Sequence, residues 1–221
     1  MNLIFLGAPG SGKGTAASRI SKVIGVPHIS TGDIFRANIS TGTELGVLAQ
    51  KYIKAGQLVP DDVTVAIVRS RLEEPDCAGG FILDGFPRTI SQAEALDRFL
   101  AENRKKIDRV IELDVGKEEL ICRLTNRRLC TQCKLTYTVN PEEPATVCPV
   151  CGGTLILRED DKPEVIEQRL ISYHNETEPL VKYYRRRRKL KSLKTGKNTV
   201  EQTFEEVKEA LGIKDGETEN K

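Results

Sequence analysis

The segment Gly7-Ala8-Pro9-Gly10-Ser11-Gly12-Lys13 carries the spacing GxxxxGK. It follows the apolar run Leu3 to Leu6 and precedes a stretch of helical pattern reaching to about residue 24. Strand, loop and helix are therefore expected in that order. Glycines let backbone N–H groups come close to phosphate oxygens, the helix start adds a partial positive charge, and Lys13 can reach terminal phosphates. The turn implies polyphosphate binding by Gly10, Ser11, Gly12, Lys13, Gly14 and Thr15. Gly14 stands where most such loops carry Ser or Thr, and the hydroxyl comes one residue later, at Thr15.

Downstream, strand and helix patterns alternate. A short strand at 28–29 leads to Ser30-Thr31-Gly32-Asp33, small polar residues that cap a helix beginning near Ile34. Short helices follow at 44–55 and 63–73, broken apart by Gly42, Gly56 and Pro60, and suggest a mobile flap. A buried strand at 81–84, a helix at 89–101, a strand at 109–114 and a helix at 117–126 continue the order. A long helix over 162–190, a weak turn or strand at 192–196 and a last helix over 200–211 close it, with a polar tail from 214 expected to fray. Alternation of this kind implies an α/β fold with a parallel sheet and right-handed crossovers.

The 221 residues suffice for a real core, and 38% hydrophobic residues with 18 glycines exclude disorder of the whole chain. No apolar run approaches the roughly 18 residues of a spanning helix, so no membrane partner is expected and a cytoplasmic location is. A net charge of +2 gives no global basic field, and aromatic interleaving is missing, so no nucleic-acid partner is expected either. The run Arg185 to Lys189 reads as wrapping all faces of the last turns of the long helix, where cations also suit the helix dipole.

Cys130, Cys133, Cys148 and Cys151 form CxxC, fourteen residues, CxxC, close to the spacing of zinc ribbons. Four thiolates would complete a closed, structural tetrahedral zinc site; disulfides or idle thiols are the alternative. Cys77 and Cys122 lie outside the pattern and read as small apolar residues.

Asp84 ends the buried strand at 81–84, where ligands bind in open α/β sheets, and a carboxylate there can hold Mg²⁺ through water. A turn or cap role is its alternative, and for Asp33 N-capping explains the residue nearly as well. Arg88 lies just beyond the same strand end with Gln92 one helical turn further. Arginine suits bidentate phosphate recognition, and glutamine offers the donor and acceptor of an adenine edge. Arg123 and Arg127, four apart, are expected on one helix face, with Arg158 and Arg169 beyond the cysteine segment. Phosphoryl transfer needs positioning and positive charge more than a base, so arginines, a lysine and magnesium suffice. Any one of these arginines alone could be a solvated surface charge.

GAPGSGKGT, STGDIFR at 30–36, GFILDGFPRT at 80–89, NRR at 126–128 and the RxDD stretch at 158–161 resemble the adenylate kinase family in order and spacing. The resemblance covers residues 1 to about 211 and is greatest to the long-lid form, whose lid often holds zinc. It implies a P-loop NTPase-like core (1–29, 60–125 and 162–221), a small helical AMP-binding flap (30–59) and a zinc-ribbon-like lid (126–161). It implies phosphoryl transfer between ATP and AMP to give two ADP, usually by a monomer. Catalytic roles fall on Lys13, Asp84, Arg88, Arg127, Arg158 and Arg169. Thr31, Arg36, Gln57, Leu58, Val59, Gly85, Phe86, Pro87, Arg88, Gln92, Arg158 and Arg169 line the AMP site by the same resemblance. Arg123 lies over adenine, Arg127 on ATP phosphates, and Thr136, Tyr137 and Asn198 complete the ATP site. For Tyr137, packing of the ring explains the residue about equally well. Asp160 and Asp161 resemble acids that meet the closed lid, though they could equally cap the following helix. Ala16, Asn126 and Thr138 depart from residues common in the family, Gln, Gly and His respectively. A guanine-reading NKxD segment is missing, and the competing reading is a zinc-ribbon nucleic-acid-binding P-loop protein.

Overall fold

The computed structural model describes residues 1–213; the expected frayed tail lies outside the described residues. β1 (Asn2–Leu6) runs through the phosphate turn into α1 (Lys13–Ile24), followed by β2 (His28–Ser30), α2 (Thr31–Thr41), α3 (Glu44–Lys54) and α4 (Asp61–Leu72). β3 (Phe81–Asp84), α5 (Ile90–Glu102), β4 (Arg109–Asp114) and α6 (Lys117–Thr125) continue the core. β5 (Arg127–Cys130), β6 (Thr136–Thr138) and β7 (Leu155–Ile156) form the insertion, and α7 (Pro163–Ser172), α8 (Pro179–Arg186), β8 (Leu190–Lys194) and α9 (Val200–Leu211) return to the core.

The five-stranded sheet has the order β2-β3-β1-β4-β8, every pairing parallel. Alternation along β1 sends its side chains to two cores. Leu3 and Phe5 pack with Ala17 and Ile20 of α1 and Val207 of α9. Ile4 and Leu6 face Leu96 and Leu100 of α5 and Leu180 and Tyr184 of α8. Each of these fully buried large side chains contributes roughly 1.5–3 kcal/mol by leaving water. The sheet is thereby rigid, and both Lys13 and Asp84 sit on its carboxyl ends. Phe35, Ala49 and Val59 build a separate small core across α2, α3 and the loop before α4, supported by Val63 and Ile67.

Several expected boundaries move. α2 begins at Thr31 rather than near Ile34, because Ser30 is its N-cap and accepts the Asp33 N–H at 3.3 Å. α6 stops at Thr125, and Arg127 opens β5, so Arg123 and Arg127 do not share a helix face. The expected helix over 162–190 is α7, a π-turn at Tyr173–Thr177 and α8, ending at Arg186. Only Arg185 and Arg186 of the basic run are helical, and the last strand starts at Leu190, two residues before the expected 192. Segment 130–151 contributes to an antiparallel sheet of order β6-β5-β7. Cys77 is buried as expected, but Cys122 is exposed on α6 rather than packed.

Candidate active site

The phosphate turn leaves β1 and enters α1 through Gly12, an N-cap at φ +90° with no side-chain bond to the helix start. Only glycine reaches that backbone cheaply, and the first N–H groups of α1 stay available to an anion. Lys13 at the head of α1 turns its Nζ back to the Ala8 carbonyl at 3.3 Å. Burial pushes its ammonium down to about 8; Asp84 counters this, while Arg88, Arg169 and Arg127 reinforce it. A lysine held down chiefly by burial, with arginines adding to the effect, marks a cleft where an arriving anion would favour its charged form.

Asp84 faces Lys13 from the end of β3, 8% exposed. Burial works against its ionisation, but the His28 ring, Lys13 and Arg88 outweigh it and hold the carboxyl below its ordinary range. His28 Nε2 lies 3.5 Å from Asp84 Oδ2. A Cβ at Gly14 would lie 3.0 Å from the same oxygen, so the departure at this loop position makes room for the carboxylate. His28 was not singled out by sequence; its place at the carboxyl end of β2 was the available signal.

Past β3, Gly85 turns at φ +75°, and its carbonyl accepts from Arg88 Nε at 2.9 Å and Thr31 Oγ1 at 2.8 Å. Gln92 is 1% exposed: its Oε1 accepts from the Arg88 N–H at 2.7 Å and its Nε2 donates to Asp61 Oδ1 at 2.7 Å. Both ends of the amide are thus engaged in positioning Arg88, through an Asp61 the sequence reading missed. Asp61 also accepts from Thr89 Oγ1 at 2.7 Å. Arg36 pairs with Asp33 at 2.5 Å, so Asp33 serves as an ion-pair partner and Ser30 as the cap.

The base of the insertion brings Arg127 and Arg158 against Arg169 of α7, which lines the cleft. Arg127 grips Asp161 through Nε and Nη2 at 2.6 and 2.5 Å; Arg169 Nη1 reaches the same carboxylate at 2.8 Å. Arg158 clasps Asp160 with two bonds of 3.0 and 2.8 Å, and Arg169 Nη1 lies 3.2 Å from that residue's Oδ2. The two aspartates therefore bind guanidiniums; the cap of α7 is Lys162, with no side-chain bond. Pro9, Lys13, Leu58, Gly85, Arg88 and Arg169 share one cleft. Pro87, behind a cis Phe86 peptide, lines it too, whereas Phe86 is core. Val59 is buried and Gln57 exposed.

Arg123 lies apart from that group. Its Nη2 donates to the Gly196 carbonyl at 2.9 Å, and its Nε pairs with Glu119 at 2.6 Å. On the same loop Asn198 holds a buried amide nitrogen with no partner among the described residues. The buried Ser11 hydroxyl likewise has no partner among the described residues. In the insertion, the sulfurs of Cys130, Cys133, Cys148 and Cys151 all lie within 4.8 Å of one another. Cys130 to Cys151 is 3.4 Å and Cys133 to Cys148 is 3.6 Å, against roughly 3.8 Å for the edge of a tetrahedron with metal–sulfur bonds of about 2.3 Å. Four soft donors at that spacing fit zinc. The Tyr137 hydroxyl touches Cys148 Sγ at 3.3 Å, which packs the ring against the cluster, while Thr136 is exposed.

The family profile described as adenylate kinase matches residues 5–189. The chain belongs to the adenylate kinase family. Adenylate kinase of Acetivibrio thermocellus is 51% identical over 217 residues, 97% of this chain and 100% of that protein. Adenylate kinase of Clostridium acetobutylicum is 47% identical over 214 residues, 96% and 99% of the two chains. Adenylate kinase of Caldicellulosiruptor bescii is 48% identical over 215 residues, 96% and 100%. Membership of the adenylate kinase family makes the chain a nucleoside monophosphate kinase, and disfavours the reading as a zinc-ribbon nucleic-acid-binding protein. Among the described residues no helix is long and apolar enough to cross a membrane.

Proposed function

We propose that the chain transfers a phosphoryl group reversibly between ATP and AMP, giving two ADP. The observation that carries this reading is the convergence of Lys13, Arg88 and Arg169 on one cleft beside the open head of α1, with Arg127 and Arg158 joined to Arg169 through Asp161 and Asp160. Charge spread over a migrating phosphoryl group is stabilised by such a set in place before reaction, without a catalytic base. ATP lies with its phosphates on the turn 10–15 and its adenine between Arg123 and the loop holding Asn198. AMP lies on the Thr31, Arg36, Leu58 and Arg88 side. Gln92 meets the acceptor base once it gives up its bond to Asp61. Arg127, Arg158 and Arg169 exchange Asp160 and Asp161 for phosphate oxygens as the insertion closes, which excludes water from an acceptor site where hydrolysis would compete.

Asp84, ionised and buried opposite Lys13, fits a hydrated Mg²⁺, which keeps much of its water and takes few protein ligands. Bound with ATP, Mg²⁺ would neutralise charge developing on the phosphates. The four cysteines would hold a structural zinc that orders residues 126–161. Six cysteines without a disulfide suit the cytoplasm, a compartment where thiols stay reduced. A panel of AMP, GMP, CMP and UMP with ATP and Mg²⁺, read for diphosphate formation, tests the assignment. AMP is expected to win clearly, and Lys13→Ala or Arg88→Ala to lose most turnover with the fold retained. Equal use of all four acceptors, or near-normal rates in either variant, refutes it.

A further inference from the structure

Residues 182–197 contain nine Lys and Arg and no acid. Their placement concentrates that charge further. β4 and β8 start side by side, Val110 opposite Leu190, and Lys189 donates its Nζ to the Ile107 carbonyl. This seats Arg104, Lys106 and Arg109, exposed in the loop before β4 and at its first residue, beside the exposed Arg185, Arg186 and Arg188. The cations belong to two segments about eighty residues apart in sequence and meet at the amino ends of the parallel strands. Lys13 and Asp84 occupy the carboxyl ends, so the basic surface faces away from the nucleotide cleft.

Two further details set this surface apart from an ordinary solvated face. α5 and α8 both end on the same motif: Lys105 N–H to the Leu100 carbonyl with Arg104 N–H to Ala101, and Lys189 N–H to Tyr184 with Arg188 N–H to Arg185. The left-handed position of that motif usually belongs to glycine, yet Arg104 and Arg188 both hold it at φ +56°. An L-residue there costs roughly 1–2 kcal/mol, and strain retained in this way points to use. The charges are also largely uncommitted. Arg187 approaches Asp97 at 3.8 Å and lies over the Tyr183 ring, and Asp108 accepts the Asn2 N–H; among the described residues Arg185, Arg186, Arg188 and Lys106 have no side-chain acid partner.

We propose that this surface binds single-stranded nucleic acid through its phosphodiester backbone, independently of sequence and of the nucleotide cleft. Guanidinium forks match phosphate oxygens in pairs. Arg185 and Arg186, the last residues of α8, project about 100° apart and Arg188 follows in the turn beyond, a spread that a flexible strand can follow and a flat bilayer cannot. The exposed large apolar side chains among the described residues all lie outside both segments, and Met1, at the head of β1 on this end of the sheet, is too little to anchor a lipid layer. Exposed aromatics for base stacking are missing, which confines recognition to the backbone. This departs from the expectation drawn from net charge, because a balance of +2 over the chain hides a one-sided distribution.

Fluorescence anisotropy with a short labelled oligouridylate tests the proposal. Affinity is expected to fall steeply with salt, log K against log salt having a slope of about −4 if about six phosphates are neutralised. The variant Arg185→Gln/Arg186→Gln/Arg188→Gln is expected to bind at least tenfold more weakly with the slope reduced to about −2. Arg104→Gln/Lys106→Gln is expected to bind at least threefold more weakly, and Lys22→Gln, elsewhere on the surface, as the parent does. Turnover of ATP and AMP is expected to be unchanged in all three, and ATP is expected not to displace the oligonucleotide. Salt-insensitive binding, displacement by ATP, or indifference to both multiple variants overturns the proposal. Capture by phosphatidylserine vesicles without affinity for the oligonucleotide also overturns it, in favour of a membrane contact.

Discussion

Arg127 and Asp161 stand at the two ends of the insertion, 34 residues apart, and are joined by two hydrogen bonds of 2.6 and 2.5 Å. Asp161 is fully buried and shares its carboxylate with Arg169 at 2.8 Å. The pair therefore ties the root of the lid to α7. Removing one partner of a buried pair leaves the other uncompensated, a loss of about 3 kcal/mol. Asp161→Asn is expected to lower Tm by roughly 6–12 °C for a chain of this size, measured by calorimetry. An unchanged Tm would show that the pair does not hold the lid root.

Asp160 gives this cluster a pH dependence. Burial opposes its ionisation, but Arg169 and Arg158 outweigh it and hold the carboxyl far below its ordinary range. With the folded value below an unfolded value of about 3.9, the contribution is fully present above about pH 4 and is lost as the pH falls below it. Urea unfolding of the parent is expected to weaken more steeply than that of Asp160→Asn between about pH 4 and 2, since the amide has no proton to take up. Parallel acid curves for the two proteins would remove Asp160 from the account.

The phosphate turn and the four cysteines could be read from sequence because their chemistry demands short, fixed spacings within one loop. Partners brought together by the sheet carry no such local mark. Nothing near Asp84 in sequence announces His28, and nothing near Gln92 announces Asp61, which engages its amide from the first residue of α4. Helix ends were misjudged where a pattern ran on past a cap: spacing alone carried α6 through Asn126 to Arg127, although Asn126 terminates the helix. The basic surface at the foot of β4 and β8 was half visible, as the run from Arg185; its other half, at Arg104 to Arg109, joins it only through the pairing of the strands.

Metal at the cysteine cluster is a matter of direct measurement. Gently purified protein is expected to carry one zinc per chain, released on chelation in step with loss of lid order, while the central sheet stays intact. Cys148→Ser should reproduce the effect of chelation, because a buried sulfur is lost from the donor set. Elemental analysis finding no zinc would favour idle thiols instead.

Lys13 links nucleotide binding to proton uptake. Burial first, then the neighbouring arginines, bring its pKa to about 8, against the opposing pull of Asp84. Near pH 8 about half the free protein therefore lacks the Lys13 charge, and phosphates arriving beside it restore the proton. ATP affinity is expected to fall as the pH rises above about 8. Calorimetry at pH 8 in buffers of different ionisation enthalpy should register about half a proton taken up per ATP bound. Lys13→Met should abolish that uptake; uptake that persists in the variant would assign it to another group.

Gly14 gives the sharpest steric test. A Cβ at this position would lie 3.0 Å from Asp84 Oδ2, closer than ordinary contact. The carboxylate has little room to retreat, since it is 8% exposed and has His28 Nε2 3.5 Å from the same oxygen. Gly14→Ser, which restores the residue most phosphate turns carry, is expected to displace Asp84 by a few tenths of an ångström rather than to improve the site. Misplacement of a group that would position Mg²⁺ should cost about tenfold or more in kcat, with the fold retained by circular dichroism. Ala at the same position should lose a similar factor, because the obstruction comes from the Cβ and not from the hydroxyl. A serine variant as active as the parent would mean that Asp84 can move freely, and would remove its argued role in holding the metal.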